Sequence, residues 1–150
     1  MGTMPQGFSQ AAEFLDKVRR RALERFRESA AFSKQPAYDQ LGEVYDACPQ
    51  PDWDAEGAEP VEQDTLRNAY LFIEALPYGY PLPTITGEPD GQINLEWYRQ
   101  QRRILSVSVS PERMLYWAAL FGRENPRGSC PFYGDIPETI LHWIARVCAE

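Results

Sequence analysis

The sequence is poor in the side chains that carry most enzymatic and metal chemistry. Its 150 residues include a single histidine, His142, and three cysteines, Cys48, Cys130 and Cys148. A catalytic triad or a metal cluster would have to be built around one imidazole. The cysteines are odd in number, lie far apart and form no CxxC pair, which argues against both a disulfide framework and a zinc site. We expect reduced thiols, no metal and no cofactor.

Nucleotide-binding and hydrolase motifs are missing, as are long apolar runs. The sequence contains no P-loop, GxGxxG, GxSxG or HExxH pattern. No stretch approaches the roughly 20 apolar residues that span a bilayer, and the first 30 residues hold no apolar run of signal-peptide length. These features predict a cytoplasmic protein without a membrane segment, and they assign no catalytic residue.

Basic residues are absent from Gln35 to Asp64, although the chain carries 15 basic against 22 acidic residues, a net charge of −7. That segment, residues 35–64, holds nine acidic residues and is called the acidic segment, whereas the chain before it, to Lys34, has an excess of basic ones. Eight of the 13 prolines lie between Pro36 and Pro89, which is typical of extended, turn-rich chain. We therefore predict one globular unit with three parts. They are a basic amphipathic helix over residues 1–34, an acidic proline-rich linker over 35–59 and an α+β domain over 60–150.

Apolar residues at three- and four-residue spacing predict two helices in the first half of the chain. A narrow stripe predicts a helix over residues 10–32, with Ser9 placed to cap it. A second helix is expected over residues 60–76, because Pro60 suits the first helical position. The chain between them, residues 36–52, is expected to be irregular apart from one or two helical turns.

The second half of the chain alternates between apolar and polar residues, which predicts strands. Residues 93–97 and 105–109 alternate cleanly. Residues 114–121 are apolar on both faces and should form the most buried strand or lie under a helix. A capping box over 135–138 predicts a C-terminal helix. The expected fold class is α+β, with a three- or four-stranded antiparallel meander over 84–134.

The run W-D-A-E-G-A-E-P (residues 53–60) carries a resemblance. With the helix and strands that follow, it resembles a group of small bacterial proteins of uncharacterised function that share a W-D-x-x-G-A-x-P motif. The resemblance covers residues 53–147 and implies a protein partner, through a loose association with mobile or paired genes. Read structurally, Trp53 anchors the linker on the core, Gly57 permits a positive φ and Pro60 starts a helix.

The interpretation we favour is a non-enzymatic, protein–protein interaction domain, an inhibitor or antitoxin-like partner that presents an acidic surface to a basic one. The expected partner-binding residues are Asp52, Trp53, Asp54, Glu56 and Glu59. Direct binding of nucleic acid is not expected at a net charge of −7. Mimicry of a phosphate backbone by the acidic segment is a further alternative.

The alternative class is a small-substrate enzyme or ligand-binding domain that uses the polar face of the sheet. Its candidate residues are Glu96, Tyr98, Ser106 and Ser108, with Asn94 and Tyr116 beside them. This reading requires a deep pocket that gathers them around a carboxylate of raised pKa. The sequence leaves open the oligomeric state, and whether the acidic segment acts in cis on the first helix or in trans on a partner.

Overall fold

The computed structural model describes the backbone of residues 6–150 and the side chains of residues 10–25 and 33–150. The chain divides into two compact units, Met1–Ser33 and Lys34–Glu150. The described elements are α1 (Gln6–Ser33), α2 (Gln35–Ala47), α3 (Gln63–Ala75), β1 (Thr84–Gly87), β2 (Ile93–Gln100), β3 (Arg103–Val109), β4 (Met114–Phe121), β5 (Arg127–Pro131) and α4 (Glu138–Cys148). The α+β prediction is confirmed, with five strands rather than three or four.

The first unit is the long helix α1. Its apolar side chains Phe14, Leu15, Val18 and Leu23 are exposed, and Arg20 pairs with Asp16 at 3.0 Å on its polar side. The helix predicted over 10–32 is confirmed, but it begins at Gln6, so Ser9 lies inside it and does not cap it. The side chain of Ser9 is outside the described residues, as are residues 1–5. None of the described helices is long and apolar enough to cross a membrane.

The second unit is built on an antiparallel sheet in which each strand pairs with its neighbours in chain order. The register places Leu95, Val107 and Trp117 side by side on the face that carries the helices. The fifth strand has the sequence R-G-S-C-P, whose glycine and proline hide it from a search for alternation. Such residues are tolerated there because β5 pairs only with β4 and forms an edge.

The core lies between one face of this sheet and helices α2, α3 and α4. Phe72 of α3 is fully buried in it, and the centroid of its ring lies 6.2 Å from that of Trp97 and 5.8 Å from that of Phe132. Ile140 and Ile144 bring α4 onto the same face, where both are fully buried. Burial of each such side chain contributes roughly 1.5–3 kcal/mol to stability, so this layer is the main source of folding energy.

The expectation of irregular chain over 36–52 is wrong for its first part, because α2 occupies Gln35–Ala47. Pro36 is compatible with a helix because it lies at the helix start, where its missing N–H has no intrahelical partner. Ala37, Leu41 and Val44 then form a buried stripe at four- and three-residue spacing. Part of the acidic segment is therefore the solvent face of a core helix.

Two predicted helix starts are corrected. Helix α3 begins at Gln63, because its N-cap residue Glu62 is extended and the Val61 N–H donates to the Cys48 carbonyl oxygen at 2.8 Å. Helix α4 begins at Glu138, after an extended Pro137, and no side-chain hydrogen bond caps it. The predicted capping box over 135–138 is therefore not formed.

Of the two alternatives for 114–121, the most buried strand is wrong, and a strand that lies under a helix agrees with the packing of α4 against β4. Leu115 and Ala119 are buried, whereas Tyr116 and Leu120 on the opposite face are exposed. The reason is that the described helices cover only one face of the sheet. Tyr116, Ala118 and Leu120 therefore lie on the open face of β4. Their apolar character does not indicate burial there.

Candidate functional site

The W-D-x-x-G-A-x-P run forms a closed loop between α2 and α3. The Trp53 indole Nε1 donates a hydrogen bond of 2.7 Å to the Glu59 carbonyl oxygen. The Asp52 backbone N–H donates one of 2.7 Å to the Ala58 carbonyl oxygen. Gly57 has a φ of 87°, in the left-handed region that favours glycine. Trp53 and Gly57 thus have the structural roles that the sequence suggested for them.

Two of the predicted partner-binding carboxylates are used inside this loop. Asp54 Oδ1 accepts hydrogen bonds from the backbone N–H groups of Glu56 and Ala58, at 2.9 and 3.0 Å. Asp52 Oδ1 accepts one from the Gly57 N–H at 2.6 Å. Both aspartate side chains therefore act as hydrogen-bond acceptors for backbone N–H groups within a turn.

The two glutamates of the loop are left for the surface. The side chains of Glu56 and Glu59 are exposed, and no ion pair joins either of them to another described residue. The structure therefore separates the five predicted residues into a loop-forming group and an exposed acidic pair. The carboxylates of Glu56 and Glu59 have no such role in the loop, whereas Asp52 and Asp54 each use one carboxylate oxygen to hold it.

Glu59 belongs to a cleft of about 230 Å³ that three separate segments form. Its acidic lining comes from the loop before α3, the β1–β2 turn and the β3–β4 turn. The four carboxylates are Glu59, Glu62, Asp90 and Glu112. Thr65, Gln92 and Tyr116 also line the cleft. We call this feature the acidic cleft.

Two hydrogen bonds and one close backbone approach hold the three segments of the acidic cleft together. The Glu59 N–H donates to the Pro89 carbonyl oxygen at 2.8 Å. Gly91 lies so close to Pro60 that an added Cβ would be 2.9 Å from the Pro60 carbonyl oxygen. Asn68 of α3 donates through Nδ2 to the Ser110 carbonyl oxygen at 3.0 Å, which fixes the β3–β4 turn.

Sequence reasoning found one of the four carboxylates of the acidic cleft, Glu59. Glu62 lies in the same acidic segment but was not among the predicted partner-binding residues, whereas Asp90 and Glu112 lie far along the chain in two turns outside that segment. Nothing in the local sequence of either turn marks it as a neighbour of the loop before α3. Only the sheet topology brings them together.

A second depression lies between α2 and α3. It has a volume of about 510 Å³ and an apolar floor that includes Leu41, Tyr45, Leu66 and Tyr70. Gly42 also lines it, and a Cβ added there would meet nothing within 4 Å. A neighbouring depression is lined by Tyr45, Glu62 and Asp64. An apolar groove on this side of the domain therefore continues into acidic surface.

The polar face of the sheet forms only part of the predicted ligand site. Ser106 and Ser108 line a shallow groove of about 440 Å³ together with Tyr116. Glu96 and Tyr98 are not among its lining residues, and Tyr98 is 62% exposed. The structure brings the two serines together but leaves the predicted carboxylate and phenol outside.

The carboxylate of raised pKa is Glu88, which sequence reasoning did not single out. Burial raises the pKa of Glu88 above its ordinary value, the hydrogen bond from Ser108 lowers it, and the nearby Asp90 carboxyl raises it. Ser108 Oγ donates to Glu88 Oε1 at 2.7 Å, and Ser106 Oγ donates to Asn94 Oδ1 at 2.5 Å. Both serine hydroxyls are thus engaged within the sheet, and Glu88 does not line the groove.

The rarer chemical groups lie apart from these surfaces. Cys48, Cys130 and Cys148 are free thiols, and burial raises the pKa of each above its ordinary value, which keeps the thiolate fraction low at neutral pH. His142 is exposed on α4, beside the Trp143 ring at 5.7 Å between centroids. Within the described part of the chain, no group of three or more histidines, cysteines or acids is placed to hold a metal ion.

Comparison with protein-family models, with curated proteins and with solved structures gave no match. The resemblance carried by residues 53–60 therefore stays a prediction.

Proposed function

We propose that the protein is a non-enzymatic protein–protein interaction domain whose acidic surface binds a partner with a basic surface. The observation that carries the proposal is the concentration of exposed carboxylates around the α2–α3 side of the second unit. They come from α2, from the loop 52–62 and from the acidic cleft. Among the acidic residues of 35–64, the described ion pairs include only that of Asp64 with Arg67, at 3.6 Å. The remaining negative charge is available to another molecule.

The proposed binding combines electrostatic steering of a basic partner with apolar contact. Carboxylates of one sign on one surface raise the association rate of a basic partner, and this effect falls as salt screens the charges. The groove floored by Leu41 and Leu66 adds apolar surface next to those charges. An interface of this kind has an apolar centre and a charged rim, which is the usual anatomy of protein–protein contacts.

The biological role that we propose is that of an inhibitor or antitoxin-like partner in the cytoplasm. The resemblance of residues 53–60 to proteins of paired genes supports the role. Three free thiols support the compartment, because reduced cysteines persist in the cytosol. Asp52 and Asp54 contribute by shaping the loop that presents Glu56 and Glu59.

The test is a charge-neutralised variant with a matched control. Glu56→Gln, Glu59→Gln and Glu62→Gln remove three exposed charges and leave the loop-forming aspartates intact. Asp135→Asn, Glu138→Gln and Glu150→Gln remove three exposed charges elsewhere and change the net charge equally. Proteins from the native host that the wild-type chain captures, identified by mass, should be lost with the first variant and kept with the second.

The salt dependence and the stability of the first variant complete the test. Association of a captured partner should slow between about 50 and about 200 mM salt for the wild-type chain and less so for the variant. The melting temperatures should agree, because exposed charges contribute little to stability. Equal capture and equal salt dependence in both variants would refute the proposal. Faster proteolysis of α1 with unchanged capture would instead indicate an acidic segment that acts in cis.

A ligand-binding role for the open sheet face is the second candidate, and the groove lined by Ser106, Ser108 and Tyr116 favours it. A screen of small polar metabolites by protein-observed NMR would test it. Saturable shifts confined to these three residues would support the candidate. Shifts that spread over the whole open face would count against it.

A further inference from the structure

The acidic cleft contains two buried oxygen atoms that lack hydrogen-bond partners among the described residues. Thr65 is fully buried, with 0% relative exposure, and its Oγ1 has no partner. Gln92 Oε1 is also buried and unpartnered. Both residues line the cleft. Because a buried oxygen without a hydrogen bond is costly, two of them beside one cleft indicate that a donor from outside the chain completes the site.

The charge of the cleft determines which donor fits. Four carboxylates line it, from Glu59, Glu62, Asp90 and Glu112, and no described Lys or Arg is among its lining residues. The start of α3 lies at the same place and contributes about half a positive charge. Four carboxylates outweigh this helix end, so the cleft favours a cation.

The arrangement of the carboxylates favours an organic cation over a metal ion. Within the described part of the chain, no three acidic groups are close enough together to hold a metal. A cleft of about 230 Å³ instead has room for the end of a long cationic side chain. Guanidinium spreads five N–H donors over a plane, which suits acceptors that lie on different segments, whereas ammonium is a compact point charge. Tyr116, 43% exposed, adds an aromatic ring of the kind on which guanidinium stacks.

From these observations we propose that the acidic cleft binds an arginine side chain of the basic partner. The surrounding carboxylates neutralise the charge of its guanidinium group. Thr65 Oγ1 and Gln92 Oε1, which the neighbouring side chains shield from solvent, accept hydrogen bonds from this group once those side chains move aside. This inference rests on the proposed function, since it assigns one anchor residue of the partner to one site on the acidic surface.

The experiment uses the full chain and three short peptides. Acetyl-Gly-Arg-Gly-amide, its lysine analogue and its citrulline analogue are titrated into labelled protein at equal ionic strength. NMR shifts of the Gly91 and Thr65 backbone amides and of the Gln92 side-chain amide report on the cleft, and Val147 serves as a remote reporter. We expect the arginine peptide to bind with a dissociation constant of about 1 mM. The lysine peptide should bind about threefold more weakly, and the citrulline peptide at least about tenfold more weakly.

Two variants connect the binding to the cleft. Thr65→Val removes the hydroxyl at nearly constant shape and should weaken the arginine peptide about fivefold. The double variant Glu62→Gln, Glu112→Gln should weaken it about tenfold. The control double variant Glu96→Gln, Glu138→Gln changes the net charge equally, away from the cleft, and should leave the affinity unchanged. Wild-type-like spectra would establish that each variant is folded, and the double variant tests the proposal independently of Thr65→Val.

Several results would overturn the inference. The first is that the arginine peptide causes no shifts at the cleft at about 20 mM, which is twenty times the expected dissociation constant. The second is that the citrulline or lysine peptide binds as tightly as the arginine peptide. The third is that the cleft variants and the control variant bind the arginine peptide with equal affinity. Calcium that shifts the same reporters more strongly than the peptide would identify a metal site instead. Failure here is distinguishable from failure of the proposed function. Partner capture that still depends on Glu56, Glu59 and Glu62 would leave the acidic interaction surface standing without this anchor.

Discussion

Ser108 Oγ donates a hydrogen bond of 2.7 Å to Glu88 Oε1, which connects the third strand to the chain that follows the first. The contact holds a half-buried carboxyl beside a second one, Asp90, which lines the acidic cleft. Burial and the neighbouring charge disfavour the ionised form of Glu88, and the hydroxyl partly offsets them. The β1–β2 turn therefore holds a carboxyl of raised pKa next to the carboxylate that it supplies to the cleft.

Glu88→Gln should stabilise the protein at pH 7 by less than about 1 kcal/mol, because the group is partly exposed to solvent. The pKa of Glu88 is higher in the folded chain than its ordinary value of 4.5, so the folded state holds the proton more tightly. The favourable contribution is complete below pH 4.5 and is lost as the pH rises through the folded pKa. Urea unfolding should therefore show no difference between the two proteins below pH 4.5 and a difference at pH 7. A difference of the same size at both pH values would contradict this account.

Asp54→Ala should destabilise the loop 52–59, because two backbone N–H groups lose their acceptor. The expected cost is about 1–2 kcal/mol in urea unfolding. Asp54→Asn keeps an oxygen at the Oδ1 position and should cost about half as much. Equal losses in the two variants would mean that charge, rather than the two hydrogen bonds at 2.9 and 3.0 Å, is what matters.

The sheet was predictable because its pattern is local. Strands β2 and β3 alternate residue by residue, and each buried position of the pattern is buried in the structure. Strand β5 was not predictable in this way, because an edge strand tolerates glycine and proline, and these residues interrupt the alternating pattern. Helix α2 was missed since its acids and Pro36 resemble a linker, although Ala37, Leu41 and Val44 already had helical spacing.

The candidate site was predictable only where its residues are neighbours in sequence. Of the four cleft carboxylates, only Glu59 was among the predicted partner-binding residues, and the fold then brings Asp90 and Glu112 beside Glu59 and Glu62. The roles of Asp52 and Asp54 depend on hydrogen bonds within a turn whose geometry no composition argument gives. Net charge could show that the segment is acidic, but not which of its carboxylates are already engaged.

Gly91→Ala should destabilise the protein by about 2–3 kcal/mol and open the acidic cleft. Its φ is +88°, and a Cβ would lie 2.9 Å from the Pro60 carbonyl oxygen, so the β1–β2 turn would have to move away from the chain before α3. Gly42→Ala is the control, because nothing lies within 4 Å of a Cβ there. In the middle of α2 it should stabilise by about 0.5–1 kcal/mol. Thermal unfolding distinguishes the two, and equal effects would mean that the close approach at Gly91 is unimportant.

Removal of residues 1–33 should leave the fold of residues 34–150 intact. The core cluster of buried side chains extends from Ala37 to Val147, so the shortened chain retains it. We expect the melting temperature to change by less than about 2 °C, since α1 contributes only exposed apolar side chains among those described. A chain that uses its acidic surface in trans should still capture its partner after this truncation, and its capture should still fail when Glu56, Glu59 and Glu62 are neutralised. Loss of folding would contradict the division into two units, and loss of capture by a folded, shortened chain would place the partner's contacts on α1 rather than on the acidic surface.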